Sequence, residues 1–414
     1  MRADWDVIVV GAGLAGLAAG ATATKAGSTT LVLDAHVPGG RARVTCRDGF
    51  VFNQGIHALY KGGAGWEVLR SLGIDPRGSS PPLGRYQALA SGELHLLPTS
   101  TDSLRRTTLL GRRDKEALAA FLARLPLLHP LRLAGASVSQ WIADADLGPA
   151  AAAVVTALVR LTTYASDMGT FAADAALAQL QRAAGGVVYL DGGWAQLISG
   201  LAARCRVRPG IKVTGVAPVA GWVEVATGSG PLTARSVIIA AGRPAAAARL
   251  LPADPGWGDL GPEVTAACVD AGLRRVPAPG YVLGVDDPVY ATVQSPPARQ
   301  ARAGQAVVGA VRYGAAEARS DRAVLHAHLA RAGVREEDVV TSRFLARMVV
   351  AGAAPTAARG GLAGRPAVDA TGLPDVYLAG DWVGPTSLIA DAALASGQAA
   401  ALRAVHACPA ATAT

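Results

Sequence analysis

The chain has 414 residues, of which 51% are hydrophobic and 17% charged, so it can bury a large core and is not intrinsically disordered. Its net charge of +8 comes mostly from scattered arginines, and no zinc-finger, basic-zipper or RNA-binding pattern is present, so we expect no nucleic-acid partner. Four scattered cysteines, without a C-x-x-C pair, indicate neither a disulfide framework nor a metal site.

The apolar stretches are short. The longest, around residues 150–159, falls well below the roughly 18 residues needed to span a bilayer. An apolar run begins within a few residues of Met1, which leaves no room for a signal peptide. We therefore expect a cytoplasmic protein.

The first elements along the chain predict a β-turn-α-β unit. Trp5–Val10 is a short apolar run, Leu14–Ala26 has small residues at helical density, and Thr29–Leu33 is a second apolar run. This order of elements is typical of a dinucleotide-binding domain.

Glycines stand at the turn between the first strand and the helix. Gly11, Gly13 and Gly16 have the spacing G-x-G-x-x-G, with Leu14 and Ala15 at the start of the helix. The first glycine permits a tight turn, the second lets the backbone approach a pyrophosphate, and the third lets helix and strand pack closely. The N–H groups of the first helical turn then provide an anion site. A chance glycine turn is the alternative, and the position between strand and helix argues against it.

Asp34 closes the second strand. A carboxylate at this spacing accepts hydrogen bonds from the ribose hydroxyls of an adenosine and disfavours a 2′-phosphate. The alternative is a solvated residue at a strand end.

The middle of the chain changes character twice. Residues 81–186 predict a helical insertion, with helices at Lys115–Leu125, Ser139–Ala145 and Ala150–Thr163. Strand patterns then return, followed by a mixed region and a last strand and helix. The predicted strands are Val187–Leu190, Ile211–Val216, Val223–Ala226, Val237–Ala241, Tyr281–Val285, Ala306–Val311 and Val376–Ala379, and the predicted helices are Asp321–Ala332 and Asp391–Val405.

Basic residues cluster in one segment of the insertion. Arg105, Arg106, Arg112 and Arg113 are interleaved with leucines at 104, 109 and 110. This pattern permits weak peripheral contact with an anionic membrane, and a solvated basic loop is the alternative.

Further motifs follow the glycine turn in a fixed order. Gly39-Gly40-Arg41 and Gly55-Ile56-His57 come first, Asp191-Gly192-Gly193-Trp194 lies mid-chain, and Gly380-Asp381 with Ser396-Gly397 stands near the end. Together they resemble the signature of the FAD-dependent amine oxidase and phytoene desaturase superfamily. Asp34 in place of the usual Glu, and Asn53 where Asp is common, depart from that signature.

The resemblance implies an α/β fold. We expect a Rossmann-like FAD-binding domain of the glutathione-reductase type and a discontinuous α+β substrate domain. The predicted FAD-binding segments are 1–80, 187–252 and 345–414, and the predicted substrate-binding segments are 81–186 and 253–344.

The resemblance also assigns cofactor contacts. Arg41, next to Gly40, is expected along the pyrophosphate, and Gly55, Ile56 and His57 are expected near the flavin ring. Val213 is a candidate for the strand position that flanks the adenine, and Ala241 for the strand end over the cofactor, with plain core packing as the alternative for both.

The C-terminal motif supplies the other half of the site by the same resemblance. Asp381, preceded by Gly380, is expected to hold the pyrophosphate or ribityl region. The backbone at Ile389 and Ala390 begins the last helix and is expected to face the flavin pyrimidine, where a helix N-terminus stabilises negative charge.

Catalytic residues are less clearly indicated. His57 is a candidate acid or base, with a hydrogen-bonded structural histidine as the alternative. Tyr60, Tyr164 and Trp382 are candidates for lining a substrate pocket, with ordinary packing as the alternative.

The motifs favour noncovalent FAD and dehydrogenation. No cysteine lies between Asp381 and Gly397, where some relatives tether flavin. The four lysines, at 25, 61, 115 and 212, lie outside the segment that supplies the catalytic lysine of many amine oxidases. We therefore expect hydride transfer from a small apolar substrate to flavin N5, forming a double bond, with oxygen or a quinone as acceptor. Amine oxidation, redox-neutral isomerisation or dehydroxylation, and a noncatalytic prenyl or lipid carrier are the alternatives.

Overall fold

The computed structural model describes residues 3–82, 86–314 and 316–407. Strands alternate with helices along most of the chain. In chain order the strands are β1 (Trp5–Val10), β2 (Thr30–Asp34), β3 (Val44–Arg47), β4 (Phe50–Asn53), β5 (Leu59–Tyr60), β6 (Gly78–Ser79), β7 (Gln87–Ala90), β8 (Glu93–Leu96), β9 (Val187–Leu190), β10 (Arg206–Pro209), β11 (Val213–Val219), β12 (Trp222–Thr227), β13 (Leu232–Ile239), β14 (Val264–Leu273), β15 (Val282–Gly284), β16 (Val289–Ser295), β17 (Ala306–Tyr313), β18 (Val339–Ala351) and β19 (Val376–Leu378).

The helices concentrate at the two chain ends and in the insertion. They are α1 (Leu14–Lys25), α2 (Ala64–Ser71), α3 (Thr101–Arg106), α4 (Arg112–Arg124), α5 (Val138–Ala143), α6 (Pro149–Thr163), α7 (Ala173–Ala183), α8 (Ala195–Ala202), α9 (Pro244–Ala248), α10 (Ala318–Arg331) and α11 (Ile389–His406). No helix of the described ranges combines the length and apolarity that crossing a bilayer demands.

The first sheet has strand order β10-β2-β1-β13-β12-β11, with β19 beside β13. Within this sheet, strands β10, β2, β1, β13 and β19 run parallel. Val7 and Val9 pack on one face against α1 and α11, while Ile8 and Val10 pack on the other. Burial on both faces explains why β1 reads as a continuous apolar run.

The second sheet has strand order β18-β14-β17-β16-β15-β7-β8 and is antiparallel except for the β15–β7 pair. Alternate residues of β14, including Val269, pack against Leu325 and Leu329 of α10. Cys268 points to the opposite face, into the core formed by the helical insertion. The alternation of small and branched residues along β14 thus separates two cores.

The two large sheets correspond closely to the two sets of predicted segments. The strands of the first sheet lie within 1–80, 187–252 and 345–414, and those of the second lie within 81–186 and 253–344, except β18. β18 continues past residue 344 to Ala351 and so runs from one set of segments into the other. The domain boundaries themselves stay a prediction.

The sequence predicts a helical insertion over residues 81–186, but the insertion is not helical throughout. It opens with the hairpin β7–β8, which extends the second sheet. Ser91 and Gly92 at its tip have φ of 49° and 81°, the geometry of a tight two-residue hairpin turn. The Ser-Gly pair was a local signal for this turn, but strands this short lack a clear alternating pattern. β14, β16 and β18 were also missed, because their apolar residues do not distinguish a buried strand from a loop.

The basic segment of the insertion has no apolar outer face. Leu104 and Leu110 are buried in the core of the insertion, and Leu109 packs against it. Arg106 and Arg112 form exposed ion pairs with acidic side chains one helical turn away. The interleaved leucines therefore pack into the protein core, and peripheral contact of this segment with a membrane stays a prediction.

Helices from the two chain ends cross at close range. A Cβ on Gly397 of α11 would lie 2.2 Å from the backbone oxygen of Ala15 in α1. Gly397 therefore lets the C-terminal helix pack directly on the helix that follows the glycine turn.

We expect Gly397→Ala to destabilise the protein. Alanine has a higher helix propensity than glycine, which by itself would stabilise α11 by about 1 kcal/mol. A net destabilisation of the protein would therefore come from the clash with Ala15. We expect the free energy of unfolding in urea to fall by about 1–3 kcal/mol.

The matched control is Ala399→Gly, at an exposed position of the same helix, which should cost only about 1 kcal/mol. A higher unfolding midpoint for Gly397→Ala would show that the two helices do not pack this closely.

Candidate functional site

One long cavity of about 1670 Å³ runs through the molecule. Its walls come from the glycine turn, the C-terminal motif, the helical insertion and both large sheets. The cavity is large enough for a dinucleotide and a second small molecule together.

The glycine turn has the geometry that its spacing predicts. Gly11 has φ of 108°, and a Cβ there would lie 2.3 Å from the backbone oxygen of Ala240. A Cβ on Gly16 would lie 1.8 Å from the backbone oxygen of Gly11, whereas one on Gly13 would meet nothing within 4 Å. Two glycines thus allow close packing and the third leaves open space at the start of α1.

The start of α1 is suited to an anion. Gly13 is its N-cap, no side chain caps the helix, and its first turn holds no acidic residue. The first N–H groups of the helix therefore remain available, next to the open space at Gly13, for a pyrophosphate.

Asp34 links the glycine turn to the end of β2. Its Oδ2 accepts a hydrogen bond from the Ala12 N–H at 2.7 Å, and its Oδ1 accepts one from the His36 N–H at 2.7 Å. The carboxylate also lines the cavity, together with Val213 and Ala241. The three residues expected around the adenosine thus line one cavity, and the adenosine position itself stays a prediction.

A bidentate ion pair joins the two chain ends. Arg41 Nη1 donates to Asp381 Oδ2 at 2.8 Å, and Arg41 Nη2 donates to Asp381 Oδ1 at 2.7 Å. The Gly352 N–H donates to the same carboxylate, and Arg41 also donates to the Val350 carbonyl. Burial lowers the pKa of Arg41, but the charge and hydrogen bonds of Asp381 outweigh it and raise the pKa overall.

The two side chains of this ion pair differ in their exposure to solvent. The Asp381 side chain is 2% exposed, whereas that of Arg41 is 40% exposed. Both line the cavity, so the guanidinium can also reach a phosphate while it holds Asp381 in place.

The last helix starts at the cavity wall in a strained conformation. Ile389, its first residue, has φ of 54°, which is rare for a β-branched residue. Leu388 is the N-cap and no side chain caps the helix. Ile389 and Ala390 both line the cavity, which leaves the helix N-terminus available to a ligand there.

Asp391 places a negative charge in the first turn of α11 and forms an ion pair with Arg182 of the insertion. Its Oδ1 accepts from the Gly65 N–H at 3.0 Å, and its Oδ2 lies 3.5 Å from Arg182 Nε of α7. Burial raises the pKa of Asp391, and the Arg182 charge opposes that shift. The pair connects the helix that begins at the cavity to the helical insertion.

His57 is held as a neutral side chain. Its Nδ1 lies 3.0 Å from the Gly55 carbonyl, and its ring packs edge-on against Trp194 with centroids 4.9 Å apart. Burial lowers its pKa, and nearby Arg41 and Arg343 lower it further. The backbone N–H of Trp194 donates to Asn53 Oδ1 at 2.9 Å, which helps to hold this residue in place.

Tyr60 and Tyr164 line the cavity beyond this point. Tyr60 donates its hydroxyl to the Thr162 carbonyl at 3.2 Å, and Tyr164 donates to the Ile56 carbonyl at 3.1 Å. Burial raises the pKa of Tyr60 to about 12 and raises that of Tyr164 well above its usual value. Both phenols are therefore neutral, and their hydroxyl protons are used in bonds to main-chain carbonyls.

The prediction that Trp382 lines the pocket is wrong. Its side chain is 1% exposed, its Nε1 donates to the Gly242 carbonyl at 3.1 Å, and its ring packs on Trp257 with centroids 5.4 Å apart. Asp381 and Trp382 are neighbours in the chain whose side chains point to opposite sides, and only Asp381 faces the cavity.

The structure brings most predicted cofactor residues to one cavity. Gly16 and Gly55 do not line the cavity but allow close packing next to it. A Cβ on Gly55, for example, would lie 2.2 Å from Met348 Sδ. The predicted residues on the cavity wall are Gly11, Gly13, Leu14, Ala15, Asp34, Gly40, Arg41, Ile56, His57, Val213, Ala241, Gly380, Asp381, Ile389 and Ala390.

Several wall residues were not predicted. Asp391 and Trp194 lie inside motifs that the sequence shows, so their positions were a usable signal. Tyr86, Tyr189 and Tyr290 come from separate strands and carry no local signal.

The cysteines and acidic residues form no metal centre. Cys46, Cys205 and Cys268 are free thiols, and Cys408 lies outside the described residues. Within residues 3–82, 86–314 and 316–407 no group of His, Cys, Asp and Glu could hold a metal ion.

Comparison with known proteins gives a family match. The model of the family described as flavin containing amine oxidoreductase matches residues 14–267. A search of curated protein sequences finds no significant match.

Solved structures share the whole fold. Cyclohexylamine oxidase from Brevibacterium oxydans IH-35A is 20% identical with a TM-score of 0.75, over 97% of this chain and 99% of that one. An oxidoreductase from Methanosarcina mazei is 17% identical with a TM-score of 0.73, over 95% and 99%. Wild-type putrescine oxidase bound to putrescine is 17% identical with a TM-score of 0.70, over 97% and 99%. The predicted fold and the predicted resemblance are thereby confirmed.

We expect Asp381→Asn to weaken FAD binding. The change keeps the shape of the side chain but removes the charge that holds Arg41 in a bidentate pair. The dissociation constant of FAD should rise about 10- to 100-fold, equivalent to about 1.5–3 kcal/mol. Fluorescence titration of the apoprotein with FAD measures the change.

Asp369→Asn, at an exposed position of the same C-terminal region, serves as the control and should leave FAD affinity unchanged. Equal affinity for the Asp381 variant and the control would show that the ion pair does not support the cofactor site.

We expect FAD to be held noncovalently, because no cysteine lies between Asp381 and Gly397. Precipitation of the yellow protein with trichloroacetic acid should release the flavin into the supernatant. Flavin that stays on the washed pellet would contradict this prediction.

Proposed function

Since the chain belongs to the family of flavin containing amine oxidoreductases and is an FAD-dependent oxidoreductase, we propose that it dehydrogenates an apolar, uncharged substrate. In this reaction one carbon of the substrate loses a hydride to the bound flavin, the neighbouring carbon loses a proton that passes to solvent, and a carbon–carbon double bond forms. Oxygen or a quinone is the proposed final acceptor.

The residues described above fit FAD. The start of α1, with open space at Gly13, would hold the pyrophosphate, and Asp34 would hold the ribose. The N-terminus of α11 would meet the flavin pyrimidine. When bound, the flavin supplies a two-electron acceptor, and the protein supplies binding and orientation.

The uncharged substrate-side wall is the observation that carries the proposal. The described cavity residues from 81–186 and 253–344 include no Asp, Glu, Lys, Arg or His. They are Pro81, Tyr86, Leu97, Thr99, Leu161, Thr162, Tyr164, Ala183, Ala184, Gly185, Gly186, Tyr290 and Phe344. A charged substrate would lose its hydration here without gaining a partner, so this wall favours a neutral molecule.

The chain's own groups mainly position the substrate and exclude water. Tyr60 and Tyr164 offer aromatic faces, and His57 behind them is neutral. Transfer of a hydride depends chiefly on holding a C–H bond about 3–3.5 Å from its acceptor, which an apolar cavity can do. A water-poor cavity also protects the reaction from competing solvent.

Amine oxidation is the second candidate. Two of the similar structures are named cyclohexylamine oxidase and putrescine oxidase. Asp391 lines the cavity and could attract an ammonium group, but Arg182 already compensates its charge. This compensation is why we rank amine oxidation below dehydrogenation of a neutral substrate.

We expect neither NADH nor NADPH to reduce the flavin directly. The chain has one strand–G-x-G-x-x-G–helix unit, at Gly11–Gly16, and FAD takes it. Anaerobic mixing with a pyridine nucleotide should leave the visible absorption band of the oxidised flavin unchanged over minutes. Rapid bleaching would contradict this prediction.

The proposed reaction predicts a flat pH profile. His57 has a lowered pKa and Tyr60 a pKa of about 12, so both stay neutral between about pH 7 and about pH 9. Anaerobic stopped-flow with cyclohexenyl substrates should show flavin reduction whose rate changes less than about twofold over that range.

An amine substrate must lose its proton before oxidation, so its rate should rise steeply with pH over the same interval. Fast reduction by amines, with none by neutral substrates, would reverse the order of the two candidates. Turnover without net reduction of any acceptor would instead indicate isomerisation.

A further inference from the structure

Three tyrosine hydroxyls meet on the cavity wall beyond Tyr60. Tyr189 belongs to β9, Tyr290 to β16, and Tyr86 precedes β7. The Tyr189 hydroxyl bonds the Thr292 hydroxyl at 2.9 Å and also interacts with the phenols of Tyr290 and Tyr86. We call Tyr86, Tyr189, Tyr290 and Thr292 the hydroxyl cluster.

The hydroxyl cluster differs from the other tyrosines of the cavity. Tyr60 and Tyr164 each donate to a main-chain carbonyl, so their hydroxyl protons are taken. In the part of the chain that the structure describes, no phenol of the cluster donates to a main-chain carbonyl. The cluster hydroxyls bond one another, so they offer spare lone pairs to a ligand, and a hydroxyl that gives up a bond within the cluster can donate its proton instead.

The position of the cluster follows from strand pairing. Tyr60 pairs with Val187 across β5 and β9. Tyr189 stands two residues further along β9, on the same face as Val187, at a distance of about 7 Å along the strand. The cluster therefore lies next to Tyr60 on the wall of the same cavity.

No formal charge accompanies the hydroxyls. Burial raises the pKa of each of the three phenols, so they remain protonated. Cationic and anionic ligand groups would lack a counter-ion at this wall, whereas a carbonyl or hydroxyl oxygen would find donors and acceptors.

We propose that the hydroxyl cluster is a substrate subsite that recognises an uncharged oxygen, a ketone or hydroxyl group, on an otherwise apolar substrate. This inference rests on the proposed function, because it assigns the far end of the same substrate. The oxygen lies on the part of the molecule remote from the bond that is oxidised. Tyr60 and Tyr164 pack on the apolar part between them.

The test measures binding without turnover. FAD-loaded protein is dialysed to equilibrium with biphenyl, 4-phenylphenol or 4-phenylbenzylamine, which share a rigid apolar body and differ in one end group. We expect 4-phenylphenol to bind about tenfold more tightly than biphenyl, and the protonated amine to bind more weakly than either. A wild-type protein that shows no preference for the phenol over biphenyl, or that prefers the amine, overturns the proposal.

Variants locate the effect. The double variant Tyr189→Phe/Tyr290→Phe removes two hydroxyls and no ring, so the preference for 4-phenylphenol should fall to about twofold or less while biphenyl affinity stays the same. Tyr377→Phe, in β19 outside the cavity lining, should keep the full preference. An unchanged preference in the double variant overturns the proposal.

Retention of FAD by each variant shows that it is folded. The binding result is also separable from the proposed function. A phenol preference that depends on the cluster, in a protein whose flavin is reduced only by amines, would retain the subsite and reject dehydrogenation.

Discussion

The ion pair between Arg41 and Asp381 joins parts of the chain that lie 340 residues apart, and the cofactor cleft depends on this junction. Asp381 is almost fully buried and also receives the Gly352 N–H, so it ties the C-terminal motif to the end of β18. A carboxylate buried to this extent is stable only with such partners. The pair therefore joins the Gly39-Gly40-Arg41 segment directly to the C-terminal motif.

The same cavity has two chemically different halves. The half near Asp34 and Arg41 offers helix N–H groups and charges, which suit a dinucleotide. The half formed by the insertion and the second sheet offers aromatic rings and neutral hydroxyls, apart from Arg347 of β18. Gly397 lets the helices of the two chain ends pack closely, and Arg182 with Asp391 connects the cofactor side to the insertion. One chain thus places a polar region that suits a dinucleotide against a region of aromatic rings and hydroxyls, which we propose receives the substrate.

The cofactor half could be predicted from sequence because it depends on backbone geometry. Gly11, Gly13 and Gly16 are required by a tight turn and close packing, and these requirements appear as fixed spacing. The substrate half could not be predicted in the same way. Tyr189 lies on the three-stranded sheet β5-β9-β6, whereas Tyr290 lies on the second sheet and Tyr86 just before its strand β7, so the three residues meet only through packing of elements distant in sequence. The hairpin at Ser91 and Gly92 is too short for a periodic signal. Trp382 was misplaced because sequence proximity to Asp381 does not reveal the direction of a side chain.

A double-mutant cycle on Arg41→Gln and Asp381→Asn tests most directly whether the two chain ends form one cofactor site. The dissociation constant of FAD is measured for the wild type, both single variants and the double variant. If the pair acts as one unit, the double variant binds FAD hardly worse than the poorer single variant, with a coupling energy of about 1–3 kcal/mol. Additive losses, with coupling below about 0.5 kcal/mol, would contradict this account.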